Sequence, residues 1–145
     1  MEDRDTTWLL VADERGARLL KGRALGSGRS RHLRLERLTE MNNPWAELYP
    51  REGVPEPTEA ERRRRAEFLQ RYAGELCRWL VERSREHGFN ALEVFSPAGV
   101  TVALRRELRQ HHLAVNEHIR DLGRVTLSSL EVHPEVFELF RSRAS

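Results

Sequence analysis

A chain of 145 residues with 39% hydrophobic and 33% charged residues has the size and composition of one globular domain, which excludes a disordered or fibrous protein. No apolar run is long enough to span a membrane, and the first residues lack the basic start and apolar core of a secretory signal, so we expect a cytoplasmic protein. The net charge of +2 is too small to indicate a nucleic-acid partner by itself, but residues 15–37 hold eight basic residues and one acid. The single cysteine excludes an internal disulfide.

The first forty residues have the pattern of three strands. The unbroken apolar run in TTWLLVAD, residues 6–13, is typical of a strand covered on both faces, as in the middle of an α/β sheet. The sequence DERG at 13–16 is a turn, so residues 17–25 return as the second strand of a hairpin. After a second turn at GSG, residues 26–28, the leucines of RHLRLERL alternate with polar residues, which predicts a third strand with one apolar face.

A long surface loop is predicted at residues 39–57, because four of the six prolines lie there. Two aromatic residues in this loop, Trp45 and Tyr49, have two interpretations. They either stack on the bases of a nucleic acid or pin the loop to the core.

The longest helix is predicted directly after this loop. Thr58 followed by Glu61 is a capping box, apolar residues then recur at helical spacing, and Gly88 ends the helix. Within it, the run Arg62 to Arg65 follows Glu59 and Glu61, which precede Arg63 and Arg65 by the favourable four positions; this predicts a solvated helix face rather than an RNA contact.

The second half of the chain alternates strands and helices. ALEVFSP, residues 91–97, reads as a short buried strand, with Ser96 as the N-cap of a following helix. Residues 113–119 alternate as a further strand, and Pro134 begins a short last helix. The order β-β-β-α-β-α-β-α predicts one α/β domain over residues 1–145, a three-layer fold in which a mixed sheet is flanked by helices and the first strand lies near its centre.

No catalytic or metal-binding motif is recognisable. The six histidines have no metal-ligand spacing, and no nucleophile or phosphate-loop motif occurs, so we expect no catalytic residue, metal or cofactor. The start of the helix after the fourth strand is a candidate anion site with Ser96 and Gly99 as its parts, because helix N-termini attract anions. The alternative is that SPAGV is an ordinary helix start.

The basic residues before position 40 are the best binding candidates. Strand alternation aims several of them at one face, and few acids lie nearby. Phosphate binding and protection of an edge strand against aggregation explain them equally well. The candidates for RNA binding are Arg23, Arg29, Arg31, Arg34 and Arg37.

Several stretches, taken in order, resemble the bacterial host attachment protein family, labelled "protein required for attachment to host cells" and related to the middle domain of archaeal and eukaryotic class-1 peptide release factors. These stretches are WLLVADERGARLL, AERRRRAEFLQRYAGELCRWLVE, ALEVFSPAGVTVALRREL and HIRDLGRVTLSSLEVHPEV. The resemblance spans residues 6–140 and implies a ribonuclease H-like, release-factor middle-domain-like fold. In the release factor, a Gly-Gly-Gln loop promotes hydrolysis of peptidyl-tRNA. The corresponding residues 39–57 contain no glutamine, so the resemblance implies a binding role without that hydrolysis.

The sequence therefore predicts a non-catalytic, release-factor-like protein that binds ribosomal RNA or tRNA through its basic strands. The alternative is a protein-interaction module, such as a homodimer, that uses an exposed sheet edge or the aromatic loop and has no nucleic-acid role. A nuclease or other hydrolase is suggested by the fold alone, and no carboxylate cluster for it is recognisable in the sequence.

Overall fold

The described part of the chain, residues 6–48, 56 and 58–141 of the computed structural model, forms five strands, four α-helices and two short 3₁₀ turns. The strands are β1 Thr6–Ala12, β2 Gly16–Leu25, β3 His32–Asn42, β4 Ala91–Ser96 and β5 Ala114–Ile119. The α-helices are α1 Glu59–His87, α2 Ala98–Leu108, α3 Leu127–Glu131 and α4 Pro134–Arg141, and the 3₁₀ turns are Gly28–Ser30 and Ala46–Leu48.

The strands form one mixed sheet in the order β3-β2-β1-β4-β5. β1 pairs antiparallel with β2 and parallel with β4, β2 pairs antiparallel with β3, and β4 pairs parallel with β5. The predicted central position of the first strand is thus confirmed, and its unbroken apolar run reflects burial on both faces of the sheet. β2 alone runs opposite to the other four strands, so the sheet is mixed, as predicted.

Helices cover both faces of the sheet, which gives the three predicted layers. Side chains on one face pack against α1 and α2, and this core includes Leu10, Leu19, Leu76, Leu80 and Leu104. The other face packs against α3 and α4, and its core includes Leu9, Leu20, Phe95, Leu130 and Phe140. Because neighbouring residues of a strand point to opposite faces, Leu9 and Leu10 belong to different cores although both are fully buried.

The long helix α1 begins and ends where the sequence predicts. The Thr58 hydroxyl accepts a hydrogen bond from the backbone N–H of Glu61 at 3.2 Å, which satisfies one of the free donors of the first turn. Gly88 ends the helix with a φ of +75° and donates its N–H to the Ser84 carbonyl. This left-handed conformation is the one that favours glycine at a helix C-terminus.

Two details of the predicted order are wrong. β3 continues through Asn42, so residues 39–42 belong to the sheet and the proline-rich segment begins after them. A bulge lies between the pairs Leu19↔Thr39 and Leu20↔Arg37 and interrupts the alternation of leucines and polar residues in β3. Because the alternation stops there, the sequence pattern does not indicate that the strand continues. The short helix α3 was not predicted, because five residues carry almost no periodic signal; Thr126 caps it by accepting from the N–H of Ser129.

Candidate nucleic-acid interface

The hairpin of β2 and β3 carries the candidate arginines at one end of the sheet. On the face that bears α1 and α2, Arg23 lies directly opposite Arg34, and Lys21 lies opposite Glu36. Arg23 and Arg34 are both exposed. Guanidinium groups at directly opposite positions of an antiparallel pair place two strong donors to phosphate side by side.

Arg37 lies on the other face of the same edge strand, because it pairs with the buried Leu20. Its guanidinium forms an exposed ion pair with Glu40 at 3.4 Å. On the same face, Arg18 donates from Nη2 to the carbonyl of Leu122 at 3.0 Å. Burial lowers the pKa of Arg18 from its usual value, but an arginine remains protonated at neutral pH.

The remaining two candidates lie at the tip of the hairpin. Arg31 donates to the carbonyl of Phe140 at 3.3 Å, at the C-terminal end of α4, where a positive charge is favourable. Arg29 is exposed in the 3₁₀ turn and has no hydrogen bond or ion pair among the described residues. The five predicted arginines therefore surround the hairpin and do not form one flat face.

An open groove of about 900 Å³ follows the β3 edge and joins cations from both faces of the hairpin. Five cationic side chains line it, with Glu36 as the single carboxylate. We call this feature the hairpin groove. Its charged lining residues are Arg18, Lys21, Arg23, Arg34, Glu36 and Arg37.

Two cations of the groove, Arg18 and Lys21, were not among the predicted site residues. Both lie in the basic stretch 15–37, but their even and odd positions place them on opposite faces of β2, so alternation along the second strand does not group them. Lys21 is held with its ammonium 5.7 Å from the centre of the Trp8 ring, a cation–π contact that fixes the position of the charge beside Arg23.

The two aromatic candidates have different outcomes. Trp45 is half-buried and packs against the core of the α1 side, and its backbone N–H donates to the side-chain oxygen of Asn43 at 2.9 Å. The buried Asn43 side chain also donates to the carbonyl of Glu14 at 2.7 Å. This packing agrees with the interpretation in which Trp45 pins its segment to the core. Tyr49 lies outside the described residues.

The predicted anion site at the start of α2 is wrong. Ser96 is the last residue of β4, is completely buried and has its hydroxyl 2.6 Å from that of Thr101. The N-cap is Pro97, which offers no side-chain hydrogen bond, so Ser96 neither caps the helix nor faces solvent. Gly99 is exposed, but the Ser96 side chain is buried and does not reach the surface beside it.

A second polar cleft lies between the sheet and α4. Glu93 accepts a hydrogen bond from Asn116 at 3.0 Å and lies 3.5 Å from Nε2 of His118, whose ring stacks on Phe95. Glu135 and Glu138 line the opposite side of this cleft.

Within residues 6–48, 56 and 58–141, no three His, Cys, Asp or Glu side chains are grouped so that they could hold a metal ion. None of the helices in the same ranges is long and apolar enough to cross a membrane.

The sequence matches no protein-family model and no curated protein. Among solved structures, the chain is similar to RuvC of Thermus thermophilus, with a TM-score of 0.40 and 13% sequence identity. The match covers 77% of this chain and 61% of the RuvC chain, so this chain spans less than two thirds of that protein's length.

Proposed function

We propose that the protein is a non-catalytic RNA-binding protein of the release-factor-like, host attachment kind, and that the hairpin groove contacts the phosphate backbone of ribosomal RNA or tRNA. The observation that carries the proposal is the Arg23–Arg34 pair, in which two exposed guanidinium groups lie opposite each other in a groove with three further cations and one carboxylate. The phosphates of an RNA accept the paired N–H donors of guanidinium groups, so each of the two arginines is suited to one phosphate contact.

The groove suits a backbone contact better than recognition of bases. Arginine and lysine side chains bind the phosphates of a nucleic acid whatever its base sequence. Such contacts orient the protein on the nucleic acid without specifying its bases. The sequence resemblance to the host attachment family is the second support, because its release-factor relatives act on the ribosome. The absence of glutamine in residues 39–57 is the reason to propose binding without hydrolysis. On this proposal the protein acts in the cytoplasm, where ribosomes are found.

The alternative function, a protein-interaction module, is favoured by a different feature of the described sheet. Its last strand, β5, has a neighbouring strand on one side only, so its outer edge can pair with another chain. This alternative needs no charge in the hairpin groove. Removal of the groove's charges therefore distinguishes the two functions.

The experiment is sedimentation of the tagged protein from a bacterial lysate on sucrose gradients at low and at high salt. The wild-type chain is compared with the variant Arg23→Ala/Arg34→Ala and with the control Arg62→Ala/Arg64→Ala. The control removes the same charge from two exposed positions of α1 that form no ion pair within the described part of the chain, whereas the neighbouring Arg63 and Arg65 do. We expect the wild type and the control to migrate with ribosomal particles at low salt only, and the groove variant to migrate as a free protein at both salts.

Two results would contradict the proposal. One is migration of the wild type as a small free species at low salt. The other is equal loss of co-migration in the groove variant and in the control, because net charge rather than the groove would then account for binding.

A further inference from the structure

The two edges of the sheet differ in how their backbone groups are satisfied. At the β3 edge, the N–H of Leu35 donates to the carboxylate of Glu131 at 2.7 Å, and α3 lies along the strand. The bulge after Leu19 also interrupts the regular ladder at this end. Covered and bulged edges resist the addition of another strand, so β3 is a protected edge.

The β5 edge is less protected in the described part of the chain: no helix lies along it, and one outward carbonyl, that of Ile119, accepts a hydrogen bond from Nη1 of Arg120 at 2.9 Å. The N–H groups of Ala114 and Arg120 donate to carbonyls on the β4 side, so even-numbered residues of β5 face β4. The N–H and C=O groups of Val115, Glu117 and Ile119 therefore point away from the sheet. No hydrogen bond within the described ranges reaches these three N–H groups, and such a row is a template for strand pairing.

Apolar surface lies along the same edge, on the face that bears α2. Ile119 is 50% exposed, which is unusual for a large apolar side chain at the end of a strand. At the other end of β5, a cleft of about 250 Å³ has an apolar floor that includes Leu108, Leu113 and Val115. Because Ile119 and Val115 are four residues apart on one strand, they lie on the same face.

Between these two apolar groups, the charge of Glu117 is already compensated. Arg105 of α2 donates to both carboxylate oxygens of Glu117, with distances of 2.9 Å from Nη2 to Oε1 and from Nε to Oε2. The carboxylate raises the pKa of Arg105 through this hydrogen bond and its charge. A second Glu117 can therefore approach without facing an uncompensated carboxylate.

We propose that a second copy of this chain binds along the β5 edge, antiparallel and in a register centred on Glu117. In this register, each outward N–H of one copy meets an outward carbonyl of the other: Glu117 pairs with Glu117, and Val115 pairs with Ile119. The exposed Ile119 of each copy then covers the apolar cleft beside Val115 of its partner. The contact is the same in both directions, as a two-fold interface requires.

The protected β3 edge determines the size of the assembly. Because β5 is the single free edge in the described sheet, pairing two copies uses both available edges and leaves none for a third. The structure therefore fits a closed dimer with a continuous ten-stranded sheet rather than a fibre. This inference is independent of the proposed RNA contact, since the hairpin groove lies at the opposite end of the sheet.

The first test is the molar mass in solution, measured by gel filtration with light scattering at micromolar concentration. We expect a dimer for the wild type and for the control Val132→Lys, which places the same charge at another exposed apolar residue, 77% exposed and directly after α3, the helix that contacts β3. We expect a monomer for Ile119→Lys. A monomeric wild type would overturn the inference, and so would a dimer that Ile119→Lys leaves intact.

Four further variants test the register. Arg105→Ala leaves two facing carboxylates without their partner and should weaken the dimer, whereas Arg105→Ala/Glu117→Gln should restore it. Under oxidising conditions, Glu117→Cys should cross-link to itself, because the two Cα atoms of a hydrogen-bonded antiparallel pair lie about 5.5 Å apart, within disulfide range. Arg106→Cys, on the exposed side of α2, should not cross-link. Absence of the Glu117→Cys cross-link in a dimeric protein would overturn the proposed pairing.

Discussion

The substitution Gly22→Ala tests the packing of α4 on the sheet. Gly22 lies in β2 opposite Leu35, and a Cβ atom there would lie 2.6 Å from Cζ of Phe140 and 2.9 Å from Cδ2 of Leu35. Carbon atoms in contact normally lie about 3.5–4.0 Å apart, so the phenyl ring must move by about 1 Å. We expect a cost of about 1–3 kcal/mol from overpacking, which outweighs the roughly 0.5–1 kcal/mol that alanine gains over glycine in a strand.

Gly74→Ala is the matched control for this substitution. Gly74 lies inside α1, and the nearest atom to an added Cβ is Oε1 of Glu107 at 3.9 Å, which is ordinary contact. Alanine is favoured over glycine in a helix by about 0.8–1 kcal/mol, so this variant should be more stable than the wild type. Urea unfolding followed by tryptophan fluorescence measures both free energies of unfolding. If Gly22→Ala unfolds at the same or a higher urea concentration than the wild type, α4 does not pack on β2 as described.

Further predictions concern buried polar groups on the α1 side. Cys77 is 3% exposed, and burial together with the charge of Glu107 raises its thiol pKa. A thiol reagent at neutral pH should therefore leave the native protein unmodified and react fully in urea; fast reaction of the native state would show that the thiol is accessible. Asn43→Ala leaves the Glu14 carbonyl and the Trp45 N–H without their side-chain partner, and should lower the free energy of unfolding by about 1–3 kcal/mol. The neighbouring exposed residue gives the control Asn42→Ala, expected within about 0.5 kcal/mol of the wild type, and an equal effect of the two substitutions would contradict the assigned hydrogen bonds.

Local patterns in the sequence predicted most of the fold. The hairpin of β1 and β2, the capped helix α1 and the central position of β1 follow from turn residues, capping residues and an unbroken apolar run, which act over a few positions. The features that could not be predicted depend on distant residues. Glu131 satisfies the N–H of Leu35 across 96 positions, and no local pattern indicates which sheet edge is covered.

The candidate site was predicted in part. The local excess of basic residues lies on the hairpin of β2 and β3, where two of its arginines are direct neighbours. The other three lie elsewhere around the hairpin because the bulge and the tip turn change the face to which each residue points. Ser96 failed as an anion ligand for a similar reason, since the strand extends through it and its hydroxyl bonds to Thr101 inside the core.

The salt dependence of RNA binding tests the central proposal most directly. Fluorescence anisotropy with a labelled structured RNA gives the slope of the logarithm of the binding constant against the logarithm of the salt concentration. The magnitude of this slope decreases by about 0.7–0.9 for each phosphate contact that is removed. We predict that Arg23→Ala/Arg34→Ala weakens binding and reduces the magnitude of this slope by about 1.4–1.8, the sum for two phosphate contacts. The control Arg62→Ala/Arg64→Ala should leave the slope unchanged. Binding that does not depend on salt, or an equal slope for the wild type and the groove variant, would contradict the proposal that the hairpin groove holds the RNA backbone.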